Sequence, residues 1–72
     1  MAEPTLREGS RGVPVRQLQA ALTELGVYAG AVDGEFGPQT VAPVKALQQA
    51  TGLTADGVVG PDTWRQIDEL GD

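Results

Sequence analysis

One eight-residue pattern occurs twice in this 72-residue chain, and it limits the fold more than any other feature. Asp33-Gly34-Glu35-Phe36-Gly37-Pro38-Gln39-Thr40 returns 23 positions later as Asp56-Gly57-Val58-Val59-Gly60-Pro61-Asp62-Thr63. A second shared element stands upstream of each copy, Val15-x-x-Leu18-Gln19 and Val44-x-x-Leu47-Gln48. The octet reads as a device for starting a helix, the alternative being direct ligand contact by its side chains. Asp-Gly makes a tight turn, in which glycine takes a positive φ and aspartate accepts from nearby backbone N–H groups. Phe36 or Val59 drops into the core as a plug, and proline begins the helix. Gly37 and Gly60 are expected to adopt backbone conformations that a β-branched residue resists. Thr40 and Thr63 fall in the first helical turn, where a hydroxyl can satisfy an unpaired N–H group or return to the turn.

Helical periodicity fills the stretches between the turns. Val15, Leu18, Leu22 and Leu25 share one face of a helix predicted over 14–25, with Pro14 at its first position and Gly26 as its stop. Val41, Val44 and Leu47 share a face of a second helix over 38–51, stopped by Gly52. Trp64, Ile67 and Leu70 do so for a third over 61–70. Pro43 lies inside the second helix and removes the N–H that would bond the Gln39 carbonyl, so this helix is expected to kink or to start near Ala42. The core is predicted as Val15, Leu18, Leu22, Phe36, Val44, Leu47, Leu53, Val59, Trp64 and Ile67. Gln19 and Gln48 fall on the same stripe, and a buried amide is costly unless it finds partners. They are expected to bond the loop backbone, the alternative being a groove wall that offers an amide to a ligand. The chain therefore reads as all-α, a compact three-helix bundle with long irregular loops. A disordered lead over 1–5, one domain over 6–70 and a frayed tail over 71–72 complete it.

Composition excludes much chemistry. The chain has no cysteine and no histidine, so disulfides, thiolate metal sites and His-dependent nucleophile arrangements are ruled out. No cofactor and no metal are expected. Net charge −5 makes nucleic acid and anionic lipid poor partners. No apolar run reaches the ~20 residues of a membrane span. Asp33 and Asp56 are the natural pair for a glycosidase, but as repeat equivalents they carry the same turn-making duty, and the chain is too small to enclose a dry cleft. It is not expected to be an enzyme. The acidic lead Met1–Thr5 is not a signal peptide.

Taken in order, the motifs resemble the peptidoglycan-binding domain 1 family, three-helix modules found beside cell-wall hydrolases and in phage endolysins. The resemblance runs from Leu6-x-x-Gly9-x-x-Gly12-x-x-Val15-x-x-Leu18-Gln19-x-x-Leu22-x-x-x-Gly26 through Asp33-Gly34-x-Phe36-Gly37-x-x-Thr40. It continues through Val44-x-x-x-Gln48 and Gly52-Leu53 to Asp56-Gly57-x-Val59-Gly60-x-x-Thr63-Trp64. Pro14, Pro43 and Leu47 depart from the residues usual in the family, which often has aspartate, alanine and phenylalanine there. The resemblance implies a non-catalytic module that binds bacterial peptidoglycan, at the stem peptide and adjacent sugar, and targets a linked hydrolase or endolysin. It would act outside the cell or at the wall, as part of a longer exported or phage protein, and as a monomer.

The ligand candidates lie in the 28–40 loop. Asp33 and Glu35 can receive the ammonium of a diamino acid, Gln39 and Thr40 can bond peptide amides, and Tyr28 offers a ring with a polar tip. Arg7, Arg11 and Arg16 are read as a solvated basic face, the alternative being a site for a wall carboxylate. The competing function is a protein–protein interaction module or structural scaffold on the same fold, without wall binding.

Overall fold

The computed structural model describes residues 4–71 and shows the expected three helices. They are α1 (Val13–Glu24), α2 (Pro38–Ala50) and α3 (Pro61–Gly71), and α1 packs against both others. The bounds differ from expectation by one residue at several ends. Helix α1 begins at Val13, so Pro14 is its second residue and not its first. Gly26 and Gly52 follow the first two helices as expected. Just beyond them the Val27 N–H reaches back to the Leu22 carbonyl and the Leu53 N–H to that of Gln48. Among the described residues there is no strand, only two isolated antiparallel bridges, Leu6 with Val59 and Arg11 with Glu35.

Those bridges reveal an element that the sequence reading did not anticipate. Residues 6–12, turned once at Glu8–Gly9, run as a strap across both octets. Leu6 exchanges backbone hydrogen bonds with Val59 at 3.0 and 2.7 Å. The Gly9 N–H donates to the Phe36 carbonyl, and the Phe36 N–H donates to that of Ser10. The strap thus pins the plug residue of each octet by backbone hydrogen bonds. The Trp64 indole N–H donates to the Pro4 carbonyl at 2.9 Å, which carries the tie to the start of the described chain. Of the expected lead over 1–5, residues 1–3 lie outside the described residues, as does Asp72 of the expected tail.

The core is close to the predicted one. Val15, Leu18, Leu22, Phe36, Val44, Leu47, Val59, Trp64 and Ile67 are all buried. Leu53 is the exception, half-buried beside the second octet. Leu6 and Tyr28 take part in the core instead. Leu6 is carried inward by the strap, and Tyr28 turns in with its hydroxyl donating to the Ala31 carbonyl.

The glycines of the octet divide differently from expectation. Gly34 and Gly57 have φ +76° and +75°, as an Asp-Gly turn requires. Gly37 is extended, with φ −105° and ψ −171°. Gly60 is not among the positive-φ residues either, and a Cβ at Gly37 or Gly60 would meet nothing within 4 Å. The expected strain at Gly37 and Gly60 is therefore corrected: the backbone demand lies at the preceding glycine of each copy.

Helix α2 runs unbroken from Pro38 to Ala50 with Pro43 inside it, so the later start near Ala42 does not occur. Gln39 is exposed, and water can satisfy the carbonyl that Pro43 leaves without a donor. Pro43→Ala is expected to stabilise the domain. An interior proline costs ~3 kcal/mol or more through its lost bond and ring clash. Its restriction of the unfolded chain returns only about 0.4–1 kcal/mol. The midpoint of urea unfolding should rise, by the equivalent of about 2 kcal/mol. A fall would show that the ring fits this turn without strain.

Candidate functional site

Each octet is locked to the helix before it by one buried glutamine. Gln19, on α1, has no exposed surface. Its Nε2 donates to Asp33 Oδ1 at 3.1 Å, the Glu35 carbonyl at 2.9 Å and Thr40 Oγ1 at 3.1 Å, while its Oε1 accepts the Gly34 N–H at 2.9 Å. Gln48, on α2, repeats this with Asp56 Oδ1 at 3.2 Å, the Val58 carbonyl at 3.0 Å, Thr63 Oγ1 at 3.2 Å and the Gly57 N–H at 3.0 Å. The amide orientation follows from the network, because the reversed amide would point NH2 at the glycine N–H. Aspartate closes each turn by accepting the N–H two residues on, that of Glu35 or Val58. The glutamines thus take the structural role, and their amides are not free for a ligand.

Two grooves open on the outer side of these locked turns. The first, about 270 Å³, lies between the strap and the first octet and is lined by Gly9, Ser10, Arg11, Asp33, Glu35, Phe36, Gly37 and Gln39. The second, about 430 Å³, lies between the end of α2 and the start of α3. Its walls come from Gln48, the 52–54 turn, and residues Asp56, Val58 and Gly60 to Thr63. Three of the five candidate residues, Asp33, Glu35 and Gln39, meet at the first groove, and all three are exposed. The other two lie elsewhere. Tyr28 is buried in the core, and Thr40 is buried with its hydroxyl bound to Gln19.

Electrostatics at the first groove is local. Arg11 pairs with Glu35 at 3.1 Å across its rim, with both side chains mostly in water. Such a pair contributes only ~0–1 kcal/mol and stays available for exchange with a ligand's charges. The sequence reading placed Arg11 on a solvated face, and that is where it lies. Its reach to Glu35 was missed, opposite charge at the two positions being the sole sequence signal. Among the described residues no group of acidic side chains is arranged to hold a metal ion.

Asp33 is held below the ordinary carboxylate range, first by the Glu35 N–H and then by the Gln19 amide. Its folded pKa is the lower one, so its contribution to stability is present above the ordinary value of 3.8. That contribution is lost as pH falls through the lowered folded value. Asp33→Asn keeps an acceptor oxygen but cannot titrate. Melting curves between pH 6 and pH 2 should therefore show the native protein's advantage over Asp33→Asn shrinking with acid. A constant gap would remove the ionised carboxylate from the turn's stability.

A family model described as "Putative peptidoglycan binding domain" matches residues 11–67. The chain is 48% identical over 73 residues to the zinc D-Ala-D-Ala carboxypeptidase of Streptomyces albus G, a match covering 94% of this chain and 28% of that protein. It is 48% identical over 56 residues to the N-acetylmuramoyl-L-alanine amidase CwlM of Mycobacterium tuberculosis, covering 78% of this chain and 14% of the relative. It spans well under two thirds of the length of either. Among solved structures, the SleB N-terminal domain superposes with a TM-score of 0.94 at 30% identity, covering 100% of this chain and 99% of that one. The repeated turn-and-helix motif, the three-helix fold and the extent of these matches agree: the chain belongs to the peptidoglycan-binding domain family.

Proposed function

We propose that this chain is a non-catalytic module that binds the stem peptide and adjacent sugar of peptidoglycan and holds a linked hydrolase or endolysin domain at the wall. The observation that carries this reading is the placement of the same domain, at 48% identity, as a small part of two enzymes named for cleaving wall components. The first groove supplies the chemistry. Asp33, Glu35 and Gln39 offer two carboxylates and an amide on one open rim, suited to a short peptide that carries an amine. Thr40 supports that rim from within through Gln19, which bonds Asp33 and the Glu35 carbonyl. The groove is open and its polar residues are exposed, so single-site affinity is expected to be micromolar or weaker, with tethering to the partner domain supplying the rest. The module works as a monomer, outside the cell or at the wall, with no cofactor.

The test is co-sedimentation of the chain with insoluble peptidoglycan at low ionic strength, paired with an NMR titration against soluble muropeptides. Sedimentation together with amide shifts over 33–39 is the expected result. Neither sedimentation nor shifts at millimolar muropeptide would transfer the case to a protein–protein interaction module. One observation favours that second reading: Tyr28, Phe36 and Trp64 are all buried, which leaves no aromatic platform for a sugar ring.

A further inference from the structure

We infer that the second octet forms one wall of a second ligand groove, as the first octet does of the first, and that this groove takes the aliphatic side chain and terminal ammonium of a diamino acid in a wall peptide. The inference rests on the peptidoglycan reading above and adds a site and a ligand group to it. The two grooves correspond on their octet side, where Asp56 stands for Asp33, Val58 for Glu35, Gly60 for Gly37 and Asp62 for Gln39, whereas the facing wall is Gly9 to Arg11 in the first and Gly52 to Thr54 in the second. These exchanges change what the groove can hold. The first has Arg11 paired with Glu35 at its rim. The second has no cationic side chain in its lining; Leu53, Val58 and Pro61 give it apolar walls, with the carboxylates of Asp56 and Asp62 beside them. Apolar walls ending in carboxylates that form no ion pair among the described residues match an alkyl chain that ends in an ammonium.

The carboxylates are held ready. Asp56 accepts from Gln48 and from the Val58 N–H through Oδ1, which leaves Oδ2 for a ligand. Asp62 sits in the first turn of α3 and is exposed at the groove. The groove is also the larger of the two, about 430 against 270 Å³.

Gly60 gives an independent observation. Its φ is not positive, and a Cβ there would meet nothing within 4 Å, so neither backbone nor packing asks for glycine. Serine would serve at least as well immediately before a helix. What glycine provides at this position is an unobstructed groove wall, and the same holds for Gly37 in the first groove.

The experiment is an NMR titration of the isotope-labelled chain with a soluble muropeptide carrying a free diamino-acid amine, and with the same muropeptide N-acetylated at that amine. Two sets of amide shifts are expected, over 33–39 and over 52–63. The second set should weaken about tenfold on acetylation, the worth of one lost charge-assisted contact. Asp62→Asn, an exposed change outside the Gln48 network, should produce the same loss in the second set and leave the first unchanged. Gly60→Ser should abolish the second set without lowering the melting temperature. Shifts confined to 33–39 would overturn the second groove while leaving the wall-binding reading standing. Equal response of 52–63 to the acetylated ligand would overturn the amine assignment. No shifts anywhere, together with no sedimentation on peptidoglycan, would overturn both.

Discussion

Replacing Gln19 with leucine is expected to remove at least about 3 kcal/mol, which in a core this small is most of the net stability. The volume is nearly kept, so no cavity forms and the loss is one of hydrogen bonding. Gly34, whose N–H bonds Gln19 Oε1, is buried, and so is the Thr40 hydroxyl bonded to Nε2. Each buried polar group left unpaired costs about 1–3 kcal/mol. The Glu35 carbonyl and one bond to Asp33 are lost as well. Gln48→Leu should do similar damage, since its four bonds reproduce those of Gln19 within the second octet. Gln49→Leu, an exposed neighbour on the same helix, should stay within about 0.5 kcal/mol of the native protein. Urea unfolding followed by circular dichroism ranks the three variants. A Gln19→Leu variant within 1 kcal/mol of the native protein would show that water or loop rearrangement replaces the amide.

The helices were legible because two signals coincide in each: apolar residues at 3.6 spacing, and punctuation by proline and glycine. The glutamines were legible for a related reason, since a polar side chain on an apolar stripe has to find partners and irregular loops hold the groups to supply them. Leu6 was not legible. A lone leucine between Thr5 and Arg7 carries no periodicity, and what fixes it is backbone pairing with Val59, which any sequence can make. Leu53 was placed in the core because it is apolar and follows a helix stop. The turn there leaves it half-buried at the edge of a groove.

The candidate site shows the same division. Asp33, Glu35 and Gln39 could be read as polar groups of one loop, and the turn does gather them on one rim. Thr40 belongs to the same octet but faces inward, because the hydroxyl in the first turn is the partner that Gln19 needs. Tyr28 carried no signal to separate core from groove. Its polar tip meets its need three residues on, at Ala31, and the ring is free to be buried. The second groove has the same octet signature as the first. Its residues carry a weaker polar signal, since Asp56 reads first as a turn former and Val58 stands where the first octet has Glu35.

Gly34→Val is expected to cost about 3 kcal/mol, from a positive φ that a β-branched residue resists. The neighbourhood adds to this, because a Cβ at Gly34 would lie 3.3 Å from the Gly12 carbonyl oxygen, a backbone atom of the strap. Gly12 itself donates its N–H to the Gly34 carbonyl at 2.9 Å, so relief of the contact would disturb that pairing. Gly57→Val meets the same φ but a softer surrounding, with the flexible Lys45 Cε at 3.3 Å and Val41 Cγ1 at 3.5 Å. Its cost should therefore be smaller, about 2 kcal/mol, and mainly that of the backbone. Gly37→Ser should be neutral or slightly stabilising, because the position is extended, open, and the N-cap of α2, where serine is preferred. Thermal melts of the three variants give the order directly: Gly34→Val lowest, Gly57→Val next, Gly37→Ser level with the native protein. A Gly37→Ser variant that melts as low as Gly34→Val would return the backbone demand to the second glycine of the octet and remove it from the Asp-Gly turn.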